Sequence, residues 1–280
     1  MKVKEIMAKD VHVVYVPGTR IEALKIFAKY DISCVPVLRR SDKKLVGILT
    51  RRNIFDKPNE EQLALLMSKN IITINEDDDV KDAVKIFLEK KFRRLPVMRG
   101  DALVGIITPM NILSVIEKVG KNEPVEKYAK STCIPLYDET PLDVAYMIFR
   151  FSDTYAMPVV NKKSKLCGIV TERDFFSFSE IMQKNVVSML GLGADEDRWS
   201  WSGVRDMMRL YYGIGKIELP NVLVKDVMIK KPVSIYKGMS IKACAELMRR
   251  YNFRQLPMKD SYGALIGMVY DVDIISSLVD

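Results

Sequence analysis

The sequence predicts an α/β protein built from four copies of one strand-helix-strand-strand-helix unit, joined in pairs. Its clearest sign is a short apolar strand with a glycine that runs into one polar turn, at GILTRRN (47–53), GIITPMN (105–111), GIVTERD (168–174) and GMVYDVD (267–273). Six residues after each glycine stands Asn53, Asn111, Asp174 or Asp273. Upstream, Pro36, Pro96, Pro158 and Pro257 precede the glycines by 9–11 residues, and Phe27, Phe87, Phe149 and Met248 precede the prolines by nine. Ala23, Ala83, Ala145 and Cys244 come thirteen before the prolines. Markers in register across four copies indicate internal duplication, with a period of about 60 residues. A unit of that size is marginal alone, which predicts tightly joined pairs.

The second copy justifies each element. IITI (71–74) reads as a short strand that ends in the acidic turn EDDD. Val80, Ala83, Val84, Phe87 and Leu88 fall at helical spacing and predict an amphipathic helix. RLPVM (94–98) and LVGIIT (103–108) are β-like runs joined by the turn RGDA, and Asn111 opens a second helix, ILSVIEKV. The other copies repeat this order, with boundaries expected at 1–57, 63–120, 123–176 and 222–280. The third and fourth glycines lie 99 residues apart, so 177–221 reads as a helical insert. It carries Trp199, Trp201 and the acids 195–197 between two helical patterns, and reads as a connector or as a partner-docking surface.

At 280 residues, 48 % apolar and 29 % charged, the chain is a folded protein with room for two ordinary domains. No apolar run reaches the length of a membrane span, and MKVKEIM lacks the core of a signal peptide, so a cytoplasmic protein is expected. Cys34, Cys133, Cys167 and Cys244 are scattered and read as reduced core residues rather than disulfides or a metal site. A net charge of +8 points to anionic partners. The sole histidine, His12, lies in an apolar stretch and reads as core. No catalytic constellation can be assembled, and Gly213–Lys216 lacks the glycine and hydroxyl spacing of a phosphate loop, so no enzyme is expected.

Together the apolar strands around the proline and the G-I-x-T-x-x-D turn resemble the cystathionine-β-synthase (CBS) domain, over nearly the whole chain outside the insert. Such domains pair into Bateman modules. Four of them, as two modules packed in a disc, resemble the gamma regulatory subunit of AMP-activated protein kinase and its archaeal relatives. The resemblance implies clefts between paired repeats that bind AMP, ADP or ATP, or in other members S-adenosylmethionine, with no catalytic cofactor. It implies a regulatory, energy-sensing role towards an unidentified protein partner, a kinase or another regulated enzyme. Basic nucleic-acid binding is the alternative that the charge leaves open, although no zinc finger, RNA-recognition signature or long basic tract is present.

The resemblance also assigns residues. Asp174 and Asp273, with Asn53 and Asn111 in the other copies, would take ribose hydroxyls, supported by Thr171, Thr50, Thr108 and, in the fourth copy, Tyr270. A carboxylate accepts from both hydroxyls of a diol, whereas an amide offers one acceptor oxygen. Phosphates would meet Arg254, Arg93 and Arg94, with Ser33 and Tyr155 at matching positions and Arg173 within the third turn. Asp174 is expected to share a cleft with Arg254, and Asn53 with Arg93 and Arg94. The base would lie against Thr132 and Ile134 in copy three and Val233 and Ser234 in copy four. Pro109 and Met110 make the second corner the weakest expected site. Asn and Asp are also favoured helix N-caps, so capping explains the four corners equally well on sequence alone.

Overall fold

The computed structural model describes residues 1–280 apart from 31, 51–52, 55–56, 58–59, 91, 153, 155, 172–173, 176–218 and 280. Arg173, Tyr155 and nearly all of the expected insert, with Trp199 and Trp201, lie outside the described residues.

Each repeat shows the expected strand-helix-strand-strand order, and among the described residues the closing helix stands in repeats 2 and 4. Repeat 1 has β1 (Val14–Val16), α1 (Arg20–Lys29), β2 (Cys34–Arg39) and β3 (Leu45–Thr50). A short helix α2 (Leu63–Leu66) precedes repeat 2, which has β4 (Ile74–Asn75), α3 (Val80–Lys90), β5 (Leu95–Arg99), β6 (Ala102–Ile107) and α4 (Pro109–Val119). Repeat 3 has β7 (Leu136–Tyr137), α5 (Leu142–Ser152), β8 (Ala156–Val160) and β9 (Leu166–Thr171). After α6 (Val224–Val227) and β10 (Ile229–Lys230), repeat 4 has β11 (Ile235–Tyr236), α7 (Ile241–Tyr251), β12 (Gln255–Lys259), β13 (Leu265–Tyr270) and α8 (Asp271–Ser276). In every repeat the first strand runs parallel to the middle one, which forms an antiparallel hairpin with the last. The first strand is shorter than IITI suggests: it is two residues long in repeats 2, 3 and 4.

The proline and glycine markers are neighbours in the sheet. Pro36, Pro96, Pro158 and Pro257 face Ile48, Ile106, Ile169 and Met268, and the next residue faces the glycine in each hairpin. A proline in a middle strand ordinarily costs a ladder hydrogen bond. Here Ile48 bonds away from Pro36, exchanging both backbone bonds with Ser68 at 2.9 and 3.0 Å. On the other side β1 begins pairing only at Val37, so the missing N–H has no carbonyl opposite it.

The glycines record an exchange between repeats. Residues 2–8 lie on the sheet of repeat 2, through the bridges Lys2–Asp79 and Ala8–Ile106, while 62–68 lie on repeat 1 through Thr19–Gln62 and Ile48–Ser68. Pro124 bridges to Ser240 of repeat 4, and β10 pairs with β9 of repeat 3. Each leading segment therefore crosses to its partner, tying repeat 1 to 2 and 3 to 4 as two modules. Its first apolar residue, Val3, Leu63, Val125 or Val224, is fully buried. Met67, Met7 and Met228 then fill the space where a Cβ on Gly47, Gly105 or Gly168 would stand. In repeat 4 the segment carries Ala129 instead, and Met258 reaches Gly267. Gly105→Val is expected to cost about 1–3 kcal/mol by overpacking against Met7 and the Ala8 carbonyl. Faster amide exchange at Ala8 and Ile106, with a lower melting temperature, checks it.

The largest core is shared by repeats 2 and 4. Phe87, Leu95, Val97, Ile112 and Ile116 pack with Cys244, Met248, Leu256 and Ile274 in one cluster. It joins the modules through α4 against α7 and α8. Separate clusters fill repeats 1 and 3. His12 is not a core residue: it precedes β1, is half-buried, and stacks on Tyr30 with ring centroids 3.5 Å apart. All four cysteines are free, and burial raises every thiol, Cys244 to about 12.

Candidate functional site

All four polar corners form helix caps. Each terminal strand delivers a residue in extended conformation, and the residue three on turns its side chain back onto that residue's N–H. The Thr50 amide and hydroxyl both donate to Asn53 Oδ1 at 2.8 Å. Thr108 donates to Asn111 Oδ1 from its amide at 2.9 Å and its hydroxyl at 2.6 Å. Thr171 donates both bonds to Asp174 Oδ2 at 2.7 Å. In repeat 4 the Tyr270 amide donates to Asp273 Oδ2 at 2.9 Å.

Capping uses one oxygen, so it leaves the remaining valence of each corner residue for other work. At Asp174, half-buried, no described residue donates to Oδ1. This carboxylate therefore combines a fixed orientation with an open acceptor, the geometry a vicinal diol needs. At Asn53 and Asn111 what remains is an amide nitrogen, a donor only. Pro109 sits at the first helical position, where its missing N–H costs nothing, and Met110 packs on the shared core. The departures of the second corner thus serve the helix and the module contact.

Asp273 is differently placed. It is 6 % exposed, and its Oδ1 accepts from the Ser131 hydroxyl at 2.6 Å. The amides of Lys130 and Ser131 also bond its carboxylate, lowering a pKa that burial raises. Both oxygens are engaged within the protein, so a ribose contact here requires Ser131 to move. Tyr270 packs with Ala156, Ile169 and Met268, and burial pushes its phenol up to about 12. Its ring is core between paired repeats, not a group offered to a ligand.

The same contact fixes the base positions. Ser131 precedes Thr132, so the segment before β7 reaches the corner of repeat 4 across the module. Thr132 is exposed and Ile134 packs on the core of repeat 3. In repeat 4, Val233 is 37 % exposed and Ser234 half-buried.

The described phosphate positions fall into two groups. Arg94 Nη2 donates to Ser33 Oγ at 2.9 Å, linking repeat 2 to repeat 1. Arg93 reaches into the other module, where its Nη2 bonds both oxygens of Asp271 at 2.7 and 2.6 Å. Asp271 is 1 % exposed, accepts from the Val272 amide at 2.8 Å, and donates its own amide to the Arg254 carbonyl at 2.9 Å. Burial pushes its carboxyl up, while Arg93 first and Arg254 less strongly pull it down. Arg93 and Arg254 therefore flank one buried carboxylate between repeats 2 and 4, while Arg94 turns to repeat 1. The described bonds of the Asp174 carboxylate come from Thr171, and Arg254 acts instead on Asp271.

Sequence reasoning missed Ser131 and Asp271. Asp271 stands where the other turns have Arg51, Pro109 and Glu172, and its partner is 178 residues away. No periodicity within a repeat identifies such a pair.

The CBS-domain family model matches residues 3–60, 62–118, 125–181 and 224–280. The chain is 24 % identical to the uncharacterised protein MJ1225 of Methanocaldococcus jannaschii, over 95 % of both chains. Its fold matches the crystal structure of MJ1225, described as a candidate archaeal homologue of g-AMPK, with a TM-score of 0.72 at 22 % identity over 99 % of this chain and 100 % of that one. An uncharacterised conserved protein of Pyrococcus horikoshii matches with a TM-score of 0.69 at 24 % identity, again over 99 % and 100 %. Inosine-5'-monophosphate dehydrogenase of M. jannaschii is 32 % identical over 114 residues, which span 40 % of this chain and 23 % of that enzyme. With its sheet order, its exchanged segments and four repeats matched in full, the chain belongs to the CBS-domain family.

Proposed function

We propose that the chain is a non-catalytic regulator that binds adenine nucleotides (AMP, ADP or ATP) in the clefts between paired repeats. The placement of Arg93 and Arg254 around one carboxylate at the junction of repeats 2 and 4, with Arg94 beside them towards repeat 1, supports this reading, because guanidinium forks suit phosphate. Asp174 supplies the ribose end, held by Thr171 with one oxygen open. Nucleotides that differ in phosphate count bind such a cluster unequally, and unequal binding shifts the balance between arrangements of the two modules. That balance is what a regulated protein partner reads. The expected disc of two modules belongs to the same reading.

Calorimetric titration with AMP, ATP and S-adenosylmethionine tests it. Asp174→Ala removes a charged acceptor worth about 1.5–3 kcal/mol, which weakens a nucleotide by roughly 10- to 100-fold. Binding of S-adenosylmethionine alone, which carries no phosphate, would leave the arginines without a ligand role and overturn the nucleotide assignment. Affinity that falls steeply with salt would point to nucleic acid instead.

A further inference from the structure

Asp271 stands among the arginines assigned to phosphate, yet it is an anion. Its carboxylate is nearly sealed from water, receives both contacts of Arg93 and the Val272 amide, and lies within reach of the Arg254 charge. The Arg93 side chain is 17 % exposed, less sealed than the carboxylate it holds, whose side chain is 2 % exposed. Arg94, the next residue, faces the other way, onto Ser33 of repeat 1. One carboxylate of the protein thus already occupies the place that a phosphate oxygen would take at Arg93. It does so from the opposite module.

We infer that Asp271 is an internal anion that sets phosphate-number preference in the arginine cluster, because a ligand phosphate must displace it to gain Arg93. The inference rests on the nucleotide-binding reading above and adds its regulation. A monophosphate met at Arg254 needs nothing from Arg93 and leaves the Arg93–Asp271 pair intact. A triphosphate carries about two further charges, and satisfying them means drawing Arg93 off Asp271. The pair joins the modules, so triphosphate binding opposes the contact between repeats 2 and 4 and monophosphate binding spares it. Phosphate count is converted into module contact by one ion pair.

Asp271→Asn tests this, since the amide keeps the size and one acceptor oxygen but removes the competing charge. ATP affinity is expected to rise about tenfold while AMP affinity changes by less than about threefold. Equal changes for both nucleotides, or none, would overturn the inference and leave nucleotide binding standing. Failure of the wild-type chain to bind either nucleotide would overturn the reading beneath it, and the inference with it. If the variant does not fold, amide exchange of the wild-type chain decides. ATP but not AMP should speed exchange over 271–276; identical patterns with both ligands would contradict the inference.

Discussion

Replacing Arg93 by methionine should destabilise the chain by about 3–5 kcal/mol at neutral pH, because it leaves Asp271 buried without its cation. The remaining bond from the Val272 amide and the more distant Arg254 charge do not replace a guanidinium that contacts both carboxylate oxygens. The loss should depend on pH in a stated direction. Burial already raises the Asp271 carboxyl, and removing Arg93, the largest opposing influence, raises it further. A carboxyl whose folded pKa exceeds its unfolded value takes up a proton on folding. Its contribution favours the folded state below the ordinary carboxylate range and is lost as the pH rises through the raised value. Arg93→Met should therefore recover part of its deficit between neutral pH and about pH 4, relative to wild type. Urea unfolding of both proteins across that range checks it; a pH-independent difference would mean that the ion pair carries little of the contact.

The other large effect lies in the shared core. Phe87 is 1 % exposed and belongs to the cluster that spans repeats 2 and 4. Phe87→Ala should cost about 3–5 kcal/mol from lost burial and the cavity left behind. The affected core is common to both modules, so the loss should not stay in module 1/2. Exchange at buried amides of α7, such as Cys244 and Met248, is expected to accelerate together with that of α3. Acceleration confined to α3 and its own sheet would show that the modules unfold independently.

Much of this architecture was legible from period and polarity. The register markers, proline, phenylalanine, alanine and glycine, all turn out to face one another or the core, which is why they repeat. The corner residues were legible as caps and as ligand groups at once, and the geometry gives both roles room at Asp174. What escaped was everything decided between repeats. The leading segments read as parts of their own copies but pack on their partners, and only the recurrence of Val3–Met7 as Leu63–Met67 and Val224–Met228 signals this. His12 looked internal because its neighbours are apolar, yet an aromatic partner at Tyr30 holds it at the surface side. Asp273 and Asp174 looked equivalent, and a single hydroxyl, Ser131 across the module, makes them different. Pairs such as Arg93–Asp271 are set by tertiary placement and leave no mark in local spacing.

The most direct test is a crystal structure of the chain grown with AMP. The account predicts nucleotide in a cleft between paired repeats, with ribose hydroxyls on Asp174 Oδ1 and phosphate directed at the arginine cluster. Nucleotide found only on the outer surface, or clefts that stay closed at saturating AMP, would contradict it and leave the four corners as helix caps alone.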